Sequence, residues 1–160
     1  MRKIILILII LFPLVSSAQI RGAESIEWLD KKEMFYGDYK VIIPQFTGNS
    51  FHYNASTRTL LFTLKIKEPI YFDKGKILIS NVVYETISAL QLGDLSIENI
   101  TDNINTTFTV TNSREIREAF ITLTPIIKDE FGYKRIKSFS YEVENTNSRT
   151  TRYSGVAKTA

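Results

Sequence analysis

The two β-like runs between Phe120 and Glu144 constrain the fold more than any other stretch. Phe120-Ile121-Thr122-Leu123-Thr124-Pro125-Ile126-Ile127 is apolar and rich in β-branched residues. Lys128-Asp129-Glu130-Phe131-Gly132 then supplies charge and a glycine, and the chain resumes as Tyr133 to Glu144. Two such runs around a short glycine-containing break predict a hairpin. In the second run Phe139, Tyr141 and Val143 share one face of the pleat, with Ser138, Ser140, Glu142 and Glu144 on the other. Ile136 is out of phase with that set, so a bulge between Ile136 and Ser138 is required to turn all four inward. The rest of the chain reads as further strands to pack on this pair. The expected fold is all-β, an antiparallel β-sandwich of about seven to eight strands, preceded by a cleaved signal peptide.

The leader is a separate matter. Arg2 and Lys3 precede an unbroken apolar run, Ile4 to Phe12, which ends at Pro13. Ser16-Ser17-Ala18 places small residues where a signal peptidase reads, predicting a cut between Ala18 and Gln19. The apolar run is shorter than the roughly 20 residues that span a bilayer, which favours cleavage over an uncleaved anchor. Cleavage leaves 142 of 160 residues, a size suited to one domain. The leader holds two of the 20 Lys and Arg and none of the 17 Asp and Glu, so 18 positive groups face 17 negative ones afterwards. That near-balance argues against a nucleic-acid partner, which needs clustered positive charge. Cleavage implies export through the inner membrane, with no membrane-spanning segment afterwards. The sequence contains no cysteine. Its core must therefore hold without disulfides, and thiol nucleophiles and thiolate metal sites are excluded.

Taken in order, residues 19–144 divide into short strand signals. Ile26 and Trp28 suggest a first strand over Glu24 to Leu29, although Asp30 to Met34 could equally form a helical turn. Gly37-Asp38 turns the chain into Tyr39 to Ile43, and Pro44 either ends that strand or confines it to an edge. Phe51 to Tyr53 and Thr59 to Lys67 form a hairpin around Asn54 to Thr57, with Leu60, Phe62, Leu64 and Ile66 on its inner face. Asp73 to Lys76 reads as a tight turn. Ile77 to Ile87 is apolar on both faces at Leu78, Ile79, Val82 and Val83, the pattern of a central strand covered on both sides. Ser88 to Ile104 is heavily punctuated and reads as a loop with one helical turn. Thr106 to Thr111 is a strand with Phe108 and Val110 on one face, and Asn112 to Arg117 connects it to the pair at Phe120. Residues 145–160 are almost wholly small and polar, a linker that leads to a further domain.

No residue pattern predicts catalysis, a cofactor or a metal. His52 is the only histidine, and it reads as an ordinary hairpin residue beside Phe51 and Tyr53. The serines lack a Gly-x-Ser-x-Gly elbow, and the seven glycines form no phosphate-cradling loop. Asp129 and Glu130 are adjacent in a turn, where their side chains diverge instead of flanking a substrate. Lys128, Lys134, Arg135 and Lys137 make one hairpin locally basic; charged strand ends protect edges, and contact with anionic lipopolysaccharide or a partner is the functional alternative. Asn54, Asn99 and Asn105 each begin an Asn-x-Ser/Thr triplet, too short a motif to assign modification. The aromatic residues read as core filling before they read as a sugar-stacking platform.

Several strings resemble a known family. They are Val41-Ile42-Ile43-Pro44-Gln45-Phe46, Ile79-Ser80-Asn81-Val82-Val83-Tyr84-Glu85, Leu92-Gly93-Asp94-Leu95, and Pro125-Ile126-Ile127-Lys128 followed by Gly132-Tyr133-Lys134-Arg135-Ile136-Lys137-Ser138-Phe139. In order and spacing they resemble the N-terminal region of the PorU family, the sortases or C-terminal signal peptidases of type IX secretion, within the gingipain-type cysteine peptidases. The resemblance runs from about Tyr39 to Tyr153. It implies an exported enzyme that removes a C-terminal sorting domain from cargo and joins the cargo to anionic lipopolysaccharide. The family's catalytic cysteine and histidine lie beyond this region, so no catalytic residue is carried over. What the resemblance implies here is a noncatalytic, propeptide-like β domain. Its partners would be the downstream peptidase domain, other type IX secretion components and anionic lipopolysaccharide. The rival expectation is a free-standing extracellular β-sandwich that binds, as an adhesin or carbohydrate module does.

The clearest register in the sequence is that of Leu60, Phe62, Leu64 and Ile66. Phe62→Asp should abolish the cooperative melt of the exported chain; a variant with the wild-type thermal midpoint by circular dichroism would refute the inward assignment of Phe62.

Overall fold

The structure, a computed structural model, describes residues 20–48, 50–113 and 116–146. The expected signal peptide, its cut between Ala18 and Gln19, and the linker after Thr146 lie outside the described residues. Among the described residues there are ten strands: β1 Ile20–Ser25, β2 Trp28–Tyr36, β3 Tyr39–Phe46, β4 Phe51–Asn54, β5 Thr59–Ile66, β6 Gly75–Ile87, β7 Thr106–Ser113, β8 Ile116–Leu123, β9 Ile126–Asp129 and β10 Gly132–Asn145. One helical turn, α1 Ala89–Leu92, and a 3-10 turn, Ile97–Asn99, interrupt them in the stretch expected to loop.

The strands form an antiparallel sandwich. In one sheet β10 is bonded along one side to β6, and along the other to β1 and β9, which lie end to end. The facing sheet has the order β4-β5-β8-β7. β2 and β3 form a separate hairpin. Alternation explains the layers. From β10 come Ile136, Phe139, Tyr141 and Val143, all buried, and they face Leu60, Phe62 and Ile66 of β5 and Ala119, Ile121 and Leu123 of β8. The rings of Phe62 and Phe139 meet edge to face at 5.8 Å across the sandwich. Each fully buried side chain of this size contributes about 1.5–3 kcal/mol.

The bulge required by the phase of Ile136 exists: the β10–β6 register shifts between Ile136 and Ser138 and again between Ser138 and Ser140. The hairpin over Phe51 to Lys67 also forms, with Phe51 opposite Phe62 and Asn54 opposite Thr59.

Three expectations are corrected. The run Phe120 to Ile127 is two strands, because Thr124-Pro125 carries the chain from one sheet to the other. Pro125 has no N–H for a ladder, and its carbonyl instead accepts from the Ile136 amide at 2.9 Å. The pairing around Glu130-Phe131 therefore involves only the short β9. Gly75 is not a turn residue but the start of β6, where a Cβ would stand 2.6 Å from Val143 Cγ1. β6 is an edge strand, bonded only to β10 among the described residues. Asn81, at φ 50°, bulges and shifts the strand's phase by one residue. That shift makes an amphipathic strand look apolar on both faces. Splits and short strands account for ten elements where about seven to eight were expected.

Asp30 to Met34 is strand, not a helical turn, because Lys32 to Met34 pair with Ile43 to Val41. β3 runs through Pro44 to Phe46, and the β2–β3 ladder shifts register there, between Leu29 and Lys32. The hairpin is clipped to α1 by Asp94, whose carboxylate accepts from the Ile42 amide at 2.6 Å and whose amide donates to the Ile42 carbonyl at 2.8 Å. Gly93 permits this approach: its φ is 59°, and a Cβ would lie 2.1 Å from the Ile42 oxygen. Gly93→Ala should lower unfolding stability by about 2 kcal/mol or more, read from the urea midpoint at constant slope. An unchanged midpoint would show that the clip carries no stability.

Candidate docking cleft

The base of the β2–β3 hairpin frames a cleft of about 460 Å³ lined by Trp28, Leu29, Asp30, Lys31, Pro44, Gln91 and Arg135. Trp28 anchors it. Its indole N–H donates to the Ile136 carbonyl at 2.7 Å, and its ring meets Phe46 edge to face at 5.2 Å. Arg135 lies with its guanidinium 5.1 Å from the centre of the Trp28 ring and donates through Nε to Glu85 at 2.7 Å. A planar cation stacked on an indole and bonded to a carboxylate is held in place from two directions.

Two of the other polar walls, Lys31 and Gln91, are also engaged. Lys31 donates to the Leu90 carbonyl, and the Gln91 side chain accepts from the Ser88 amide at 2.8 Å. The Arg135 bond holds the Glu85 carboxyl below its ordinary value, assisted by the positive charges of Arg135 and Lys137 and opposed by partial burial. These groups shape a surface; they do not form a nucleophile–base pair. On the other side of Leu29 a second depression, of about 620 Å³, runs past Lys32, Gln45, Phe46, Thr47, Gly48 and Phe51.

The residues singled out in the sequence fall elsewhere. His52 stands on the exposed side of β4, opposite Leu61. Among the described residues no group of three or more His, Asp or Glu side chains could hold a metal ion. Also among them, no helix is long and apolar enough to cross a membrane. Of the basic set, Lys134 pairs with Asp129 and Arg135 with Glu85, while Lys128 and Lys137 are exposed. The Lys134 bond lowers the Asp129 pKa, with the Phe131 and Gly132 amides assisting against a small burial cost. Phe131 projects from the turn between β9 and β10, 81% exposed. All three triplet asparagines serve the backbone or its turns: Asn54 accepts from the Ser56 amide, Asn99 donates to the Thr57 carbonyl and Asn105 donates to the Thr101 hydroxyl. Sequence reasoning missed the Trp28–Arg135–Glu85 stack, since positions so far apart leave no local signal.

The fold has a counterpart among solved structures. A chain from the complex of the pro- and mature domains of RgpB from Porphyromonas gingivalis superposes with a TM-score of 0.53 at 10% identity, over 81% of this chain and 79% of that one. At that identity the likeness concerns the fold alone. No family model matches the sequence, and no curated protein matches it.

Because the folded Glu85 pKa is depressed, its contribution to stability is present above the ordinary value of 4.5 and is lost as pH falls through the lower folded value. Glu85→Gln should therefore flatten the acid limb of the thermal midpoint against pH and leave less stability at pH 7. A variant whose acid limb matches that of the wild type would show that the Arg135–Glu85 bond has no energetic weight.

Proposed function

We propose that this chain is a noncatalytic, propeptide-like β domain that docks on a cysteine peptidase of the gingipain type, as part of a type IX secretion sortase of the PorU family. The observation that carries this reading is the fold shared with a chain of the RgpB pro- and mature-domain complex. The strings around Ile43, Val82, Gly93 and Ile136 support the narrower PorU assignment, and the leader supports export to the outer-membrane surface.

The chain's own chemistry is consistent with a docking role. Trp28, Arg135, Glu85 and Asp94 are spent on holding the β2–β3 hairpin and α1 against the sandwich. The cleft at the hairpin base offers an aromatic and polar wall to a neighbouring domain, of the kind that interfaces favour. The partner would be the peptidase domain of the same protein, with type IX components and anionic lipopolysaccharide as further contacts.

The exported chain should bind the isolated peptidase domain of a PorU-family sortase with a dissociation constant of about 1 µM or tighter by calorimetry. Alone it should neither cleave nor transfer a cargo carrying a C-terminal sorting domain. Turnover by the chain alone, or no heat of binding at about 100 µM, would overturn the assignment.

A further inference from the structure

The outer edge of β6, which has no ladder partner among the described residues, is patterned to meet itself. In an antiparallel ladder, opposite residues share a face. Ile136, Tyr141 and Val143 turn into the core, so their partners on β6, Tyr84, Ile79 and Ile77, lie on that same face, where Ile77 and Ile79 pack against the core and Tyr84 stays 38% exposed. Val82 also packs against the core. Glu144, Glu142, Ser140, Ser138 and Arg135 face outward, and so do their partners Lys76, Leu78, Ser80, Val83 and Glu85. Leu78 is 37% and Val83 53% exposed, an apolar strip on a strand whose second edge has no ladder partner among the described residues. Such an edge is a template for another strand.

We propose that β6 pairs antiparallel with β6 of a second copy of this chain, about a twofold axis between Ser80 and Asn81, joining the two β10-centred sheets. In this register Lys76 of each copy stands opposite Glu85 of the other, Leu78 opposite Val83 and Ser80 opposite Asn81. On the inner face Ile77 meets Tyr84 and Ile79 meets Val82. Charge meets opposite charge, apolar meets apolar, and polar meets polar. Glu85 remains 40% exposed while bonded to Arg135, so a second cation can reach it. A shift of two residues in either direction sets Leu78 against Glu85 or Lys76 against Val83, which loses both kinds of match.

The bulge at Asn81 is what makes the register work. In an unbroken strand Leu78 and Val83, five positions apart, would lie on opposite faces, as would Lys76 and Glu85. The extra residue shifts the phase, and all the paired residues then share faces. The association is isologous, using the same patch on both copies. It does not rest on the propeptide-like role; the one group it shares with the hairpin cleft is Glu85, whose partner Arg135 lines that cleft.

The test uses the absence of native cysteine. Ser80→Cys in the exported chain should form a disulfide-linked pair under mild oxidation, and adding Val83→Lys should abolish it. Thr109→Cys, exposed on β7, should remain single. Sedimentation equilibrium should show a two-copy species for the wild type, with Lys76→Glu raising the dissociation constant about tenfold. A wild type that stays monomeric up to about 1 mM would overturn the proposal. So would Ser80→Cys linking no faster than Thr109→Cys, or association that survives Val83→Lys.

Discussion

The edge-to-face contact of Phe62 with Phe139, and the apolar layer around it, is the constraint on which the remaining structure depends. β10 presents its inner face only because the register shift against β6 between Ile136 and Ser138 brings Ile136 into phase with Phe139, Tyr141 and Val143. The same strand is bonded by β1, β6 and β9, so three strands lose their place if its face turns. β8 and β9, consecutive in sequence, sit in opposite sheets. Their crossing at Thr124-Pro125 ties the layers covalently at one end of the core.

The hairpin of β2 and β3 is secured differently. It closes on the sandwich through the Trp28 indole and on α1 through Asp94, polar contacts that fix position and angle in place of a large buried face. Ile43 and Phe46 supply the apolar roots. The cleft at its base follows from this arrangement, since a hairpin held at a few points leaves space between them. Lys31, Gln91 and Arg135 in its walls are already bonded to neighbouring groups, which suits recognition better than reaction.

Local alternation made part of this legible. The β4–β5 hairpin and the inward set on β5 follow from period-two patterning with a turn between. The β10 bulge follows from a single residue out of phase. Three features did not follow. Pro125 marks a change of sheet, but one proline does not distinguish a bend from a crossing. Leu78-Ile79 and Val82-Val83 imitate a strand buried on both sides, because a bulge between them exchanges the faces. Trp28, Glu85 and Arg135 meet only through tertiary packing, and nothing in their spacing announces it. The likeness in fold to a gingipain pro- and mature-domain complex was likewise accessible from short strings only as a resemblance.

The Thr146 amide donates to the Lys74 carbonyl, so the described chain departs beside the first residues of β6. That point lies at the opposite end of β10 from Gly132. From Ile136, next to the cleft, to Thr146 is a path of roughly 33 Å along the strand. A covalent partner leaving from that point would have to run back along the full length of the sheet to cover the Trp28 side.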